Sequence, residues 1–391
     1  MKQESNSNEL SRRSIIAGAT GLGAASLLGG TSLIAESAKA ADSSVRFGNW
    51  SLYLDYDNKS KSYPTLTAFT KKTGIKVKYM EVIDDNDSFT AKVTPQLRLK
   101  KDIGYDLVVP TEWMASRWIK SGFAQKLDNA AIPNKKNLLP FLAHRAFDPD
   151  RSYTLPWAGV IAGLAWNKLK LPKGLQALED KVNPERGLFS NPALKGKIEV
   201  LSEMRDTVGL ILLFQGVDIS KPFPQAKWDN ALEYLKKKVK DGWIRQIKGQ
   251  SYQEDMISGD AIAVIGWSGD INQLNLQNQN RFGFGLPESG GTFSSDNMLI
   301  PATSPNKTGA QAIMNYYYDP LVAAKVSNYI NYVCPVQGAQ EAMAKVNPAN
   351  VKNTLIFPDE KMWSNLKVFR DLTSAEQISF STSFQKVSGN A

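Results

Sequence analysis

Apolar and polar residues alternate in Val45-Arg46-Phe47-Gly48-Asn49-Trp50 and in Ile75-Lys76-Val77-Lys78-Tyr79, and that period of two predicts strands. Between them Leu66 and Phe69 stand three apart, Pro64 opens the segment and Gly74 follows it, so a helix is predicted over Pro64 to Thr73. Phe89 to Lys100 also reads as helical. Tyr105-Asp106-Leu107-Val108-Val109-Pro110 reads as a buried strand ended by proline, and Glu112 to Ser121 as a helix stopped at Gly122. Strand and helix in turn predict a parallel α/β domain.

Tyr153 to Asn167 reads as the passage into a second domain. There, Ile198-Glu199-Val200-Leu201 and then Asp206 to Gln215 read as strand and helix. Trp228 to Asp241 reads as a helix with Leu232, Leu235 and Val239 on one side. Ala261 to Trp267 and Met298-Leu299-Ile300-Pro301 read as strands, and helices are expected near 308–317 and 319–330. Several predicted strands end alike: the first at Trp50, the third at Pro110-Thr111-Glu112-Trp113, a later one at Trp267-Ser268-Gly269-Asp270. Open α/β sheets bind ligands outside the carboxyl ends of their strands. If these ends converge, they make a cleft walled by tryptophan and edged with carboxylates. Rings at such positions serve as readily as core or lid. Aromatic walls with enclosed acids suit a slender organic cation, because ring faces attract ammonium groups and carboxylates accept charge-assisted hydrogen bonds.

Composition narrows the classes. The 391 residues allow two domains of ordinary size. Lys and Arg exceed Asp and Glu by 47 to 38, for a formal charge of +9. The excess is dispersed, apart from short runs such as Lys236-Lys237-Lys238, so a solvated basic surface is expected and no nucleic-acid partner. A single cysteine, Cys334, excludes an internal disulfide and a multi-Cys metal site. A single histidine, His144, excludes His-rich zinc sites and nearly all His-dependent catalysis. No nucleophile elbow, P-loop or dinucleotide fingerprint occurs. Asp84-Asp85-Asn86-Asp87 has the charge of a calcium loop without its glycine or closing Glu, so a solvated turn is expected. No enzyme, cofactor or metal is therefore expected.

Residues 1–40 read as an export signal. Arg12-Arg13 precedes a Gly-rich apolar stretch to Ile34, and Ala38-Lys39-Ala40 reads as a small-x-small cleavage site. The paired arginines resemble a twin-arginine signal, so export by the twin-arginine translocase is expected, to the periplasm or the outer face of the cytoplasmic membrane. A retained anchor is the alternative, since the stretch from Ile15 to Ile34 is about long enough to span.

The segments Gly48-Asn49-Trp50-Ser51-Leu52-Tyr53, Phe69-Thr70-Lys71-Lys72-Thr73-Gly74-Ile75, Gly104-Tyr105-Asp106-Leu107-Val108-Val109-Pro110, Gly266-Trp267-Ser268-Gly269-Asp270, and Ser295-Asp296-Asn297 before Ile300-Pro301 stand out as motifs. Through them the mature chain resembles, over nearly its whole length, the spermidine/putrescine-binding proteins of ABC transporters. The resemblance implies a two-lobed α/β periplasmic-binding-protein fold of type II with a hinge between the lobes. The lobes would be 41–157 with 295–340, and 158–294 with 341–391. It implies an aromatic box of Trp50, Tyr53, Trp113, Trp267 and Tyr332, with hydroxyl contacts from Ser51 and Thr111. Asp296 would be the main carboxylate and Asp270 a second. Glu203 and Asp206 carry over with less weight; a surface ion pair with Arg205 is as consistent with their spacing. The implied ligand is a polyamine and the implied partner an ABC permease, with the receptor itself a monomer.

This sequence departs from the family pattern at two places. Leu52 stands where an acid often precedes the tyrosine, and Ser294 where many relatives have tryptophan. Asp55, Asp57 and Glu112 are candidates to restore the charge. A receptor for an amino acid derivative or a sugar is the alternative within binding proteins. An exported enzyme and a structural envelope protein are disfavoured by the missing catalytic residues and the absence of repeats.

Overall fold

The computed structural model describes residues 44–389, so the predicted export signal lies outside the described residues. The strands are β1 (Ser44–Trp50), β2 (Lys76–Ile83), β3 (Leu107–Val108), β4 (Thr154–Asn167), β5 (Ile198–Leu201), β6 (Ile244–Lys248), β7 (Ala263–Trp267), β8 (Phe282–Gly285), β9 (Gly291–Leu299) and β10 (Leu366–Val368). Hydrogen bonds order them β2-β1-β3-β9-β4-β7-β5-β6, with β10 beside β9 and β8 beside β4. Each half of this path has a parallel core: β1 pairs in parallel with β2 and β3, and β5 with β6 and β7. The expected parallel arrangement thus holds within each half.

The middle is antiparallel. β4 runs 14 residues and pairs with β9 from Thr154↔Leu299 to Ala162↔Thr292, then with β7 from Ala162↔Trp267 to Trp166↔Ala263. β4 and β9 therefore run from one half of the sheet into the other. The segment expected to be a passage is itself a strand, almost wholly buried, with no alternation to betray it. The expected strand at Met298–Pro301 is the end of the longer β9, whose polar residues Thr292 and Ser294–Asn297 break the apolar run. The helix Pro64–Thr73 is observed as predicted, closed by Gly74 at φ 76. A final helix, Ser374–Ser388, was not expected; it opens on a capping box of Thr373 and Glu376.

Arg151 ties the entry of β4 to its neighbours. Its buried guanidinium donates to the Leu142 carbonyl at 2.6 and 2.9 Å, to Thr154 Oγ1 at 3.1 Å and to Asn297 Oδ1 at 3.0 Å. Truncation strands several buried acceptors. Arg151→Ala is expected to lose about 3 kcal/mol of stability, read as a lower urea midpoint at unchanged slope.

Candidate functional site

The carboxyl ends of β1, β3, β5, β6 and β7 meet around one cavity, in part open to solvent. Trp50 ends β1, and its indole donates to the Val109 carbonyl at 2.8 Å, which fixes its plane against β3. After a turn through Leu52 at φ 56, Tyr53 comes back to the cavity. Tyr332 reaches it from the end of the helix Pro320–Ile330, where Asn331 takes the left-handed conformation at φ 57. Gly269 admits the Tyr332 ring, since a Cβ there would meet it at 2.0 Å. Trp50 and Trp267 stand edge to face at 6.0 Å, Tyr53 and Tyr332 at 4.9 Å.

Two helices give up their caps to this cavity. Thr111 is the N-cap of the helix Glu112–Lys120, yet its hydroxyl makes no cap bond and donates to Asp296 Oδ1 at 2.6 Å. Glu203 is the N-cap of the helix Met204–Phe214, and its carboxylate instead accepts from Asn86 Nδ2 at 2.7 Å and Trp113 Nε1 at 3.1 Å. Tyr53 donates to the other oxygen of Asp296 at 2.8 Å. Asp206 accepts from Trp267 Nε1 at 2.8 Å and Thr292 Oγ1 at 2.7 Å.

Asp296, Glu203 and Asp206 are buried, held by neutral donors, and form no ion pair among the described residues. Burial raises the Asp296 carboxyl from 3.8 to about 7, and raises Asp206 and Glu203 as well. A carboxylate oxygen with one donor keeps a lone pair free, so these groups still have acceptor capacity for a cation.

The predicted residues fall into place unevenly. Trp50, Tyr53, Thr111, Trp113, Glu203, Asp206, Trp267, Asp296 and Tyr332 all line the cavity. Asp270 lies behind that wall, accepting from Tyr332 at 2.7 Å, Tyr252 at 3.1 Å and Gln250 at 3.2 Å. Ser51 is exposed, and its backbone rather than its hydroxyl is engaged, by Gln250. Of the acids named as substitutes at Leu52, Asp55 accepts from Thr65 at the start of a helix, and Asp57 holds an exposed turn. Glu112 lines the cavity but is paired with Arg145 at 2.9 Å. Ser294 lines it too, with Phe293 and Phe369 supplying aromatic surface nearby. Sequence reasoning missed Gln250, Thr292, Phe369 and Asp371, which carry no local signal, and the orientation of Arg205. That guanidinium makes no ion pair with Glu203 or Asp206; it stacks on Trp113 at 4.8 Å and donates to Gln377 at 2.6 Å. Burial lowers its pKa to about 10.

Residues 65–355 match the family described as bacterial extracellular solute-binding protein. The chain is 29% identical over 369 residues to the putrescine-binding periplasmic protein SpuD of Pseudomonas aeruginosa, covering 90% of this chain and 94% of that one. Among solved structures it resembles the spermidine/putrescine ABC transporter substrate-binding protein PotD of Streptococcus pneumoniae, with TM-score 0.69, 23% identity, and 89% and 99% of the two chains covered. It also resembles AgtB of A. tumefaciens R10, solved with agropinic acid, with TM-score 0.67, 16% identity, and 88% and 98% covered. The fold is the two-lobed one of periplasmic binding proteins.

Because Asp296 titrates near 7 when folded and near 3.8 when unfolded, the native state binds the extra proton between those values. Its contribution to stability therefore grows as pH falls from about 7 towards 4. In the empty protein, Asp296→Asn is expected to flatten this trend. Thermal unfolding at pH 8 and pH 5 should show wild type gaining about 2–4 °C more than the variant on acidification.

Proposed function

The chain belongs to the bacterial extracellular solute-binding proteins, and we propose that its cargo is a polyamine, putrescine or spermidine, held in this cavity between the lobes. It is a binding protein and not an enzyme, and it works outside the cytoplasm. One observation carries the reading: Asp296, Glu203 and Asp206 are buried among aromatic rings, with no ion pair among the described residues. Buried carboxylates left unpaired are costly, and a ligand ammonium removes that cost. Methylenes between the ammonium groups pack on the faces of Trp50, Trp267 and Tyr332. The lobes would be 41–157 with 295–340 and 158–294 with 341–391, hinged where β4 and β9 cross between them. Closure would couple the contacts of both lobes to the cargo, and the closed receptor, a monomer exported by the twin-arginine route, would deliver it to an ABC permease.

Arg205 favours a second reading. A guanidinium lining the cavity beside acids would receive a ligand carboxylate, as in an amino acid derivative. AgtB, which shares this fold, was solved with a ligand of that acidic kind.

Calorimetric titration with putrescine, spermidine, an ω-amino acid and maltose separates the readings. Saturable one-site binding of a polyamine is expected, with no heat from maltose. Asp296→Asn should weaken polyamine binding by about 2–4 kcal/mol and Trp267→Ala by about 1–2 kcal/mol. Unchanged affinity in both variants would remove the cavity from the account, and preference for the ω-amino acid would favour the second reading.

A further inference from the structure

We propose that Asp84–Asn86, the turn that leads from β2 into the helix Asn86–Arg98, is the latch of the closed receptor. Asn86 within it is a positioning residue that orients Glu203 when the latch is shut. The polyamine reading supplies only the probe; the latch stands on contacts within the chain.

The turn expected to be solvated is exposed at Asp84 and half-buried at Asp85, and each of its three residues also makes a bond to the other half of the sheet. The Asp84 carbonyl accepts from Gln250 N at 3.3 Å and its side chain from Ser251 N at 3.1 Å. Asp85 splits its carboxylate: one oxygen caps its own helix at Ser88 N, 2.9 Å, and the other accepts from Ser202 Oγ at 2.7 Å. Asn86 Nδ2 donates across to Glu203 at 2.7 Å and, within its own half, to Thr111 Oγ1 at 2.9 Å, while its side-chain Oδ1 accepts from Thr111 N at 3.1 Å. The partners Ser202, Glu203 and Gly249–Ser251 follow β5 and β6. They also grip the turn after β1, where Gln250 clasps the Ser51 backbone at 3.2 and 3.0 Å.

Two consequences follow from this arrangement. Both oxygens of Glu203 are held by donors of the opposite half, Asn86 and Trp113, so the carboxylate is aimed only while the halves touch. Asn86 also fills the acceptor side of Thr111, which directs the Thr111 proton to Asp296. The second consequence is at Gly249. A Cβ there would meet Asp84 O at 2.4 Å and Asp84 Oδ2 at 3.0 Å, the nearest atoms to it, and its φ lies outside the left-handed region. Glycine here serves the approach of the two halves and not the local backbone.

Gly249→Ala is therefore a wedge: the methyl obstructs the contact with Asp84, and parting the two halves would relieve it. The test uses the mature chain with a dye pair at Lys92→Cys and Gln385→Cys, two exposed positions on either side of the contact, Cys334 being buried. Closure is read by energy transfer without ligand and with putrescine, and dissociation by stopped flow. Expected are a smaller closed population and putrescine dissociation faster by about tenfold or more in Gly249→Ala and in Asn86→Ala. Asp84→Asn, which keeps the acceptor, should retain more closure than Asp84→Ala. Unfolding of the empty Gly249→Ala protein should match wild type. Closed populations and dissociation within twofold of wild type in both Gly249→Ala and Asn86→Ala would overturn the latch. If wild type binds no putrescine, the cargo reading fails, and the dye distances of the empty variants still decide the latch.

Discussion

Asp296 sets the terms for the rest of this molecule. It lies on β9, a strand shared by both halves of the sheet, buried and without a cationic partner among the described residues. Its two oxygens are each held by one hydroxyl, Thr111 and Tyr53, which is enough to fix its direction and too little to satisfy a charge. A protein stable with such a group must either protonate it or bind a cation. Burial raises its pKa to about 7, which favours the first solution, and the aromatic walls make room for the second.

The elements around Asp296 bend ordinary rules to serve it. Thr111 and Glu203 occupy helix N-cap positions, where their side chains would normally satisfy backbone amides, and both turn into the cavity. Leu52 accepts a left-handed backbone so that Tyr53 returns to the site one turn after Trp50. Local departures of this kind concentrate where a fold has been shaped for binding. Asp270 shows the complementary case: with three donors on its carboxylate it supports Tyr332 from behind, and its role is in the wall.

Much of this was legible in the chain. The helix Pro64–Thr73 is marked by its spacing and a closing glycine, and the tryptophans at predicted strand ends do line the cavity. Where reading failed, the reason is physical. β4 is buried on both faces, so its sequence has no alternation to reveal a strand. β9 turns Thr292, Ser294 and Asp296 towards the site and buries Ser295 and Asn297, which breaks the apolar pattern that marks a core strand. Asp84–Asn86 looked like any solvated acidic turn, because its partners at Ser202 and Gly249–Ser251 lie more than a hundred residues away. Ser51 was named from its motif, yet the turn that follows it carries the hydroxyl outward. An ion pair with Arg205 is one of two roles the spacing allows Glu203 and Asp206, and only the packing of Trp113 and Phe369 shows Arg205 stacked within the cavity wall.

The central claim is that a ligand cation replaces the proton on the buried acids. The direct measurement is calorimetric titration with putrescine at pH 7 in buffers of different ionisation enthalpy. With Asp296 near 7 when empty and ionised when paired, binding should release about half a proton or more per site. Saturable binding with no proton released would contradict the account.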